Sequence, residues 1–300
     1  MNPEILGNTI RFFREKKGFT QKELAKDICS PQYIYLIETG KRIPSSYILE
    51  QLSTKLGGDI RQYLNLSEYS DPLKLLRVQE EITFLRENHD FQGLYEKLLT
   101  VNNEDLQNNK IKQFYLWNKA ICINELFSDI DETFTLLEEA LAQTKEFNCI
   151  EELLDEFLSK EELHILNSIT KLYADLGNYK CAIRINKHLL DKVSTTYLDF
   201  YTSKVYHILL YNLAKYLSKD NQYEEAIMYM DQFIEIAIKC KSIYLLAEAL
   251  YQKGIDLYHL NQTIEAKKYI KHAISLFQVQ GRQDWLDEIQ AALKEKYYIK

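Results

Sequence analysis

Helix breakers are scarce in this 300-residue chain: nine glycines and four prolines, three of the prolines before residue 45. That scarcity over the long remainder argues against a turn-rich β architecture and for a mostly helical body. No apolar run approaches the ~18 residues needed to cross a bilayer. The opening MNPEILGNTIRFFREKK lacks the uninterrupted apolar centre of a secretory signal. Cys29, Cys122, Cys149, Cys181 and Cys240 are odd in number, scattered, and never spaced C-x-x-C. This argues against a disulfide framework or zinc site and for reduced, mostly buried thiols in the cytoplasm. The six histidines show no ligand spacing, and no P-loop, G-x-S-x-G, H-E-x-x-H or G-x-G-x-x-G occurs. Neither catalysis nor a bound metal or cofactor is expected.

What is present is an ordinary globular composition, 46% hydrophobic and 27% charged, long enough for two domains. The net charge of −7 is unevenly placed. Residues 1–66 hold 10 Lys and Arg against 7 Asp and Glu, and the remainder 27 against 37. A mildly basic head on an acidic body suits a small nucleic-acid reader joined to something that does not touch nucleic acid.

In the head, Ile5, Leu6, Ile10 and Phe13 recur at helical spacing before Gly18. Thr20 with Glu23 three positions on is a capping-box pattern opening a helix over Gln21–Ile28, with Leu24 and Ala25 inward. Ser30 caps a third helix, PQYIYLIET, whose first position is Pro31 and whose stop is Gly40. Ser45 and Ser46 open a fourth through Leu49, Leu52 and Leu56 to Gly57-Gly58, and Asp59 a short fifth with Ile60 and Leu64 inward. Two helices joined by a short turn within five short helices make a helix-turn-helix domain over residues 1–66.

The run GFTQKELAKDICSPQYIYLIETGKRIPSSYILEQLSTKL resembles the phage-repressor (XRE-type) class. That resemblance implies DNA contacts. Gln21 lies at a helix N-terminus where a phosphate can be held. Gln32, Tyr33 and Leu36 occupy the outward face of the recognition helix, Gln32 suited to adenine and Leu36 to a thymine methyl. Tyr33 and Tyr35 either pack or bond a phosphate, and Lys41 and Arg42 meet the backbone. Arg14 and Glu38 match an internal ion pair of the class.

After a linker at 67–74, residues 75–300 repeat an amphipathic helix, a polar turn and a second helix. Gly254, Leu257, Ala266, Ile270 and Ala273 match the packing positions of a tetratricopeptide repeat. Ala214, Leu217, Ala226, Met230 and Phe233 repeat them, as do, less faithfully, Thr170, Tyr173, Ala182, Asn186 and Leu189. The alanines 182, 226 and 266 are 44 and 40 residues apart, so the repeats are degenerate. Weaker pairs span Leu75–Leu99 and Tyr115–Thr144, and a last helix over Trp285–Tyr298 caps the array. The fold expected is all-α: a five-helix helix-turn-helix domain, then a right-handed superhelix of about five degenerate tetratricopeptide-like repeats with a concave inner surface. The polar residues on the first helices of the pairs are Asn167, Asn212 and Gln252. An Asn offers a donor and an acceptor, as does a peptide unit, so a ladder of them can clamp an extended peptide.

Head and body together resemble the Rgg/PlcR/PrgX family of peptide-pheromone-responsive regulators, most closely its PlcR-like members. The resemblance implies a cytoplasmic regulator that binds a pseudo-palindromic operator in double-stranded DNA as a homodimer, with no membrane association. It also implies control by a short signalling peptide in quorum sensing, clamped by Asn167 and Asn212 with Gln252 as a further contact. PlcR-like proteins carry basic residues in the first repeat turn that meet an acidic peptide; this chain reads Arg86, Glu87, Asn88, His89, so Arg86 and His89 are the candidates there. The segment 67–72 is the expected hinge. Two alternatives stay open: a Rap-type protein-interaction adaptor, and a phage- or plasmid-type repressor whose repeats only dimerise.

Overall fold

Sixteen helices make up the regular structure among the described residues, 3–57, 72–102, 106–196 and 204–295, of a computed structural model. No strand occurs among them. The chain forms two compact units, residues 1–118 and 119–300. The expected fifth head helix from Asp59 and the hinge at 67–71 lie outside the described residues, as do the last residues of the expected helix over Trp285–Tyr298.

The first unit opens with α1 (Pro3–Lys16), α2 (Gln21–Ala25), α3 (Pro31–Glu38) and α4 (Ser46–Leu56). The starts of α2, α3 and α4 are chemically specified. Thr20 Oγ1 accepts from Glu23 N at 3.2 Å while Thr20 N donates to the Glu23 carboxylate at 2.7 Å. Ser30 and Ser45 accept from the amides of Tyr33 and Ile48. α2 ends earlier than its apolar pattern suggests, because Asp27 takes a φ of 67° and turns the chain. Leu6, Ile10, Leu24, Ala25, Ile34, Ile37, Leu49, Leu52 and Leu56 form one core, each large side chain contributing about 1.5–3 kcal/mol by burial. Gly7 makes that core possible: a Cβ there would lie 2.3 Å from the Ile37 carbonyl oxygen. Then follow α5 (Pro72–Glu87) and α6 (Phe91–Leu99), and α7 (Asn109–Phe127), which runs from this unit into the next.

The second unit continues with α8 (Ile130–Ala142), the single turn α9 (Ile150–Leu153), and three long pairs. These are α10 (Lys160–Asp175) with α11 (Tyr179–Thr196), α12 (Lys204–Lys219) with α13 (Tyr223–Lys239), and α14 (Leu246–His259) with α15 (Thr263–Gln280). The repeat register is written into the turns. Gly177, Asn221 and Asn261 take φ of 77°, 62° and 60°. The next amide in each closes onto a carbonyl five residues back: Asn178 to Tyr173 (2.8 Å), Gln222 to Leu217 (2.9 Å), Gln262 to Leu257 (2.9 Å). This is the Schellman closure, and it recurs at the spacing of Ala182, Ala226 and Ala266, all wholly buried. Gly254 sets the closest approach, since a Cβ would lie 2.6 Å from Ile270 Cγ1 and 3.1 Å from Ala266 O. α16 (Gln283–Glu295) buries Leu286, Ile289 and Leu293, and Trp285 stacks on Phe277 at 5.3 Å.

Two smaller expectations are corrected. Of the five free thiols only Cys122 is buried, its pKa pushed up to about 12 by desolvation; Cys149 is exposed and the rest half-buried. The acidic run EELLDEF, whose sequence reads as an amphipathic helix face, forms one helical turn instead, because Ser159 and Glu162 make a capping box that restarts the chain as α10.

Candidate functional site

The head is organised around one buried carboxylate. Glu38, at the end of α3, has a wholly buried side chain and receives Arg14 Nε at 2.6 Å and Nη2 at 3.1 Å. Gln21 Nε2 donates to its second oxygen at 2.8 Å, and Arg14 Nη1 to the Phe19 carbonyl at 2.8 Å. One acid therefore ties α1, α2 and α3 together. The hydrogen bond to Glu38 is the largest cause raising the Arg14 pKa. A charge removed from water is held only where bonds of this quality satisfy it.

Around that anchor the expected contact residues divide by exposure. Gln32, Tyr35, Lys41 and Arg42 are exposed. Tyr33 and Leu36 are half-buried, Tyr33 packing on the core with the Arg42 guanidinium 5.1 Å above its ring. Gln21 is half-buried, with one N–H given to Glu38.

In the second unit the two asparagines meet. Asn212 Nδ2 donates to Asn167 Oδ1 at 2.9 Å, joining α12 to α10, and both side chains are half-buried. Gln252, on α14, enters a different network: its Nε2 donates to Ser218 Oγ at 2.8 Å and to Asp256 Oδ1 at 3.0 Å. Ser218 Oγ also donates to Asp256 Oδ1 at 2.5 Å. Asp256 is wholly buried and its Oδ2 has no partner. Desolvation pushes its pKa up from 3.8 to about 6 against the opposing effect of those hydrogen bonds.

Arg86 and His89 belong to the first unit. Arg86 Nη1 donates to Asn118 Oδ1 at 2.8 Å, and its guanidinium lies 4.2 Å from the Trp117 ring centroid. His89 is exposed at the α5–α6 turn with φ 58°. Sequence reasoning missed the Ser218–Asp256 pair and the lysines one turn beyond the asparagines, Lys171 and Lys215. The contexts NSITK and NLAK carried that signal. An open cleft of 740 Å³ beside Phe127, Ile130, Phe134 and Leu176 carries two carboxylates, of which Asp129 caps α8. No group of three or more metal-ligating side chains occurs among the described residues, and none of their helices is long and apolar enough to cross a membrane.

A helix-turn-helix head followed by tetratricopeptide-like helical pairs defines the class of protein. Residues 10–62 match the helix-turn-helix family and residues 79–299 the RNPP family C-terminal domain. The chain belongs to the RNPP family, the group its sequence resembles. Bacillus thuringiensis PlcR in complex with the peptide PapR7 and DNA is 24% identical, with a TM-score of 0.80 over 95% of this chain and 98% of that one. PlcR in its apo form gives 23% and 0.61, over 98% and 99%. ComR from S. thermophilus, in complex with DNA and its signalling peptide ComS, gives 16% and 0.53, over 96% and 98%. At these identities the likeness establishes the fold. No curated protein matches the sequence at a significant level.

Proposed function

We propose that this protein is a cytoplasmic transcription regulator, not an enzyme, that binds a pseudo-palindromic operator as a homodimer under the control of a short signalling peptide. The observation that carries the reading is the 2.9 Å bond between Asn212 and Asn167. Two half-buried amides on neighbouring first helices of the repeats meet where an extended backbone would need a donor and an acceptor. Membership of the RNPP family and the solved peptide complexes of PlcR and ComR support it. Gln252, held by Ser218, supplies a further polar contact, and Arg86 and His89 are proposed as others.

In the head, Gln32 and Leu36 are the proposed base readers, with Tyr33, Tyr35, Lys41, Arg42 and Gln21 on the sugar-phosphate backbone. The intact caps, core and buried Arg14–Glu38 pair support a working reader rather than the vestigial head of an adaptor. A bound peptide shifts DNA binding only through its differential affinity for two arrangements of the protein.

The test selects an operator from random DNA and peptides from a random library on the full-length protein, then measures operator affinity with and without the selected peptide. The reading expects wild-type affinity to change with peptide and an Asn167→Ala/Asn212→Ala double variant to lose that response. Failure to select any DNA, or operator affinity indifferent to every selected peptide, refutes it.

A further inference from the structure

α10 and α12 carry the same short pattern, Asn167 followed four residues on by Lys171 and Asn212 followed three on by Lys215. On a helix these offsets put each lysine on the face of its asparagine, one turn nearer the C-terminus. The asparagines bond across the two helices at 2.9 Å, so the lysines share that seam. Lys219 lies one further turn along α12, and like-charge repulsion from Lys171 and Lys219 lowers the Lys215 pKa, in keeping with that placement.

They are not equally satisfied. Lys171 is paired with Glu125 at 2.5 Å. Lys215 makes no hydrogen bond or ion pair among the described residues, and Asp175 is the one carboxylate that acts on it. The surrounding protein mass, then Lys171, lower its pKa; Asp175 opposes them, and Lys219 lowers it further. Its side chain nonetheless keeps access to solvent. A crowded, accessible cation beside two like charges is stabilised by any anion that reaches it. In the first unit, by contrast, Arg86 is bonded to Asn118 and stacked on Trp117.

We propose that Lys215, flanked by Lys171 and Lys219 one turn beyond the Asn167–Asn212 pair, seats a carboxylate of the bound peptide. Its source is either the peptide C-terminus or an acidic side chain. This deepens the peptide-binding reading and rests on it: the asparagines hold the backbone, and the lysine cluster sets the ligand's charge and its placement along the helices.

Binders selected from the random library on full-length wild-type protein are resynthesised in three forms: free acid, C-terminal amide, and free acid with Asp and Glu replaced by Asn and Gln. Each carries an uncharged fluorophore at its N-terminus and is titrated by anisotropy against wild type, Lys215→Gln, Lys215→Arg and Asn212→Ala. The expected result is that one carboxylate-free form binds wild type about tenfold or more weakly. Lys215→Gln reproduces that loss with the free acid but adds little to the carboxylate-free form, and Lys215→Arg restores binding. Loss on amidation assigns the C-terminus; loss on Asn/Gln replacement assigns a side chain. Equal binding of all three forms, or undiminished free-acid binding by a Lys215→Gln variant with wild-type circular dichroism, overturns the carboxylate seat and leaves the peptide site standing. If no peptide is selected, or Asn212→Ala binds as wild type does, the peptide site itself falls.

Discussion

Asp256 makes the stability of this protein depend on pH in an unusual direction. Its carboxyl is wholly buried on α14 between Ser218 and Gln252, and desolvation raises its pKa from 3.8 to about 6. A carboxyl that holds its proton more tightly when folded stabilises the fold fully below pH ~4. That contribution drains away as pH rises through about 6. A shift of about two pH units corresponds to roughly 3 kcal/mol by pH 7, of which about 1 kcal/mol is still to be lost between pH 5 and pH 8. Asp256→Asn keeps the oxygen that accepts from Ser218 and Gln252 and places an NH2 at the unpartnered Oδ2, but it cannot ionise. Urea unfolding of both proteins in steps across pH 5–8 separates this group from all others, because the remaining titrations cancel in the difference. The variant should gain about 1 kcal/mol on wild type over that range. Ser218→Ala, which removes a hydrogen bond that lowers the Asp256 pKa, should move the loss to higher pH. Parallel profiles for wild type and Asp256→Asn would refute the reasoning.

Three further outcomes are expected. Arg14→Ala leaves buried Glu38 with Gln21 and the more distant Arg11 at 3.8 Å and should destabilise the head by about 3 kcal/mol, read as an early thermal transition that Glu38→Gln in the same chain partly repairs. Gly254→Ala forces a Cβ against Ile270 Cγ1 and Ala266 O and should cost about 1–3 kcal/mol in denaturant midpoint measurements; an unchanged midpoint would show that the close approach of the two helices is not needed. Replacing Lys41 and Arg42 together by Gln should weaken binding to all DNA sequences alike and flatten the log–log salt dependence by about two contacts' worth; an unchanged slope measured by anisotropy removes them from the phosphate backbone.

Much of the fold was legible because it rests on short-range chemistry. Thr20 with Glu23, Ser30 with Pro31, and Ser45 announce helix starts through bonds that span three residues, and all three form. The alanines at 182, 226 and 266 announce the repeats because only a small side chain permits the close packing around them. The Arg14–Glu38 pair was legible through resemblance alone, since 24 residues separate its partners. Asn167 and Asn212 stood out as polar residues in matching apolar contexts, but their mutual bond depends on helix register across 45 residues. Asp256 was passed over because an acid two residues from Gly254 reads as a solvent-facing residue of an amphipathic helix. Its burial comes with the contact to Ser218 on α12, 38 residues away in sequence, which no local pattern announces. The length of EELLDEF as a helix was likewise unreadable, since the restart at Ser159 competes with it locally.

The bond between the two asparagines also makes the pair directional. Asn212 has spent an N–H and Asn167 its carbonyl oxygen on each other. Asn167 keeps both amide hydrogens and Asn212 both lone pairs of its oxygen, against one remaining lone pair on Asn167 and one remaining N–H on Asn212, so donor capacity is greater on α10 and acceptor capacity on α12. A peptide backbone laid across them meets this polarity correctly in one N-to-C sense; in the reverse sense carbonyl faces oxygen and amide faces amide. In the proposed peptide site such a pair sets the sense in which any backbone lies, so a peptide of identical composition written backwards would lie the same way and be told apart by its side chains alone.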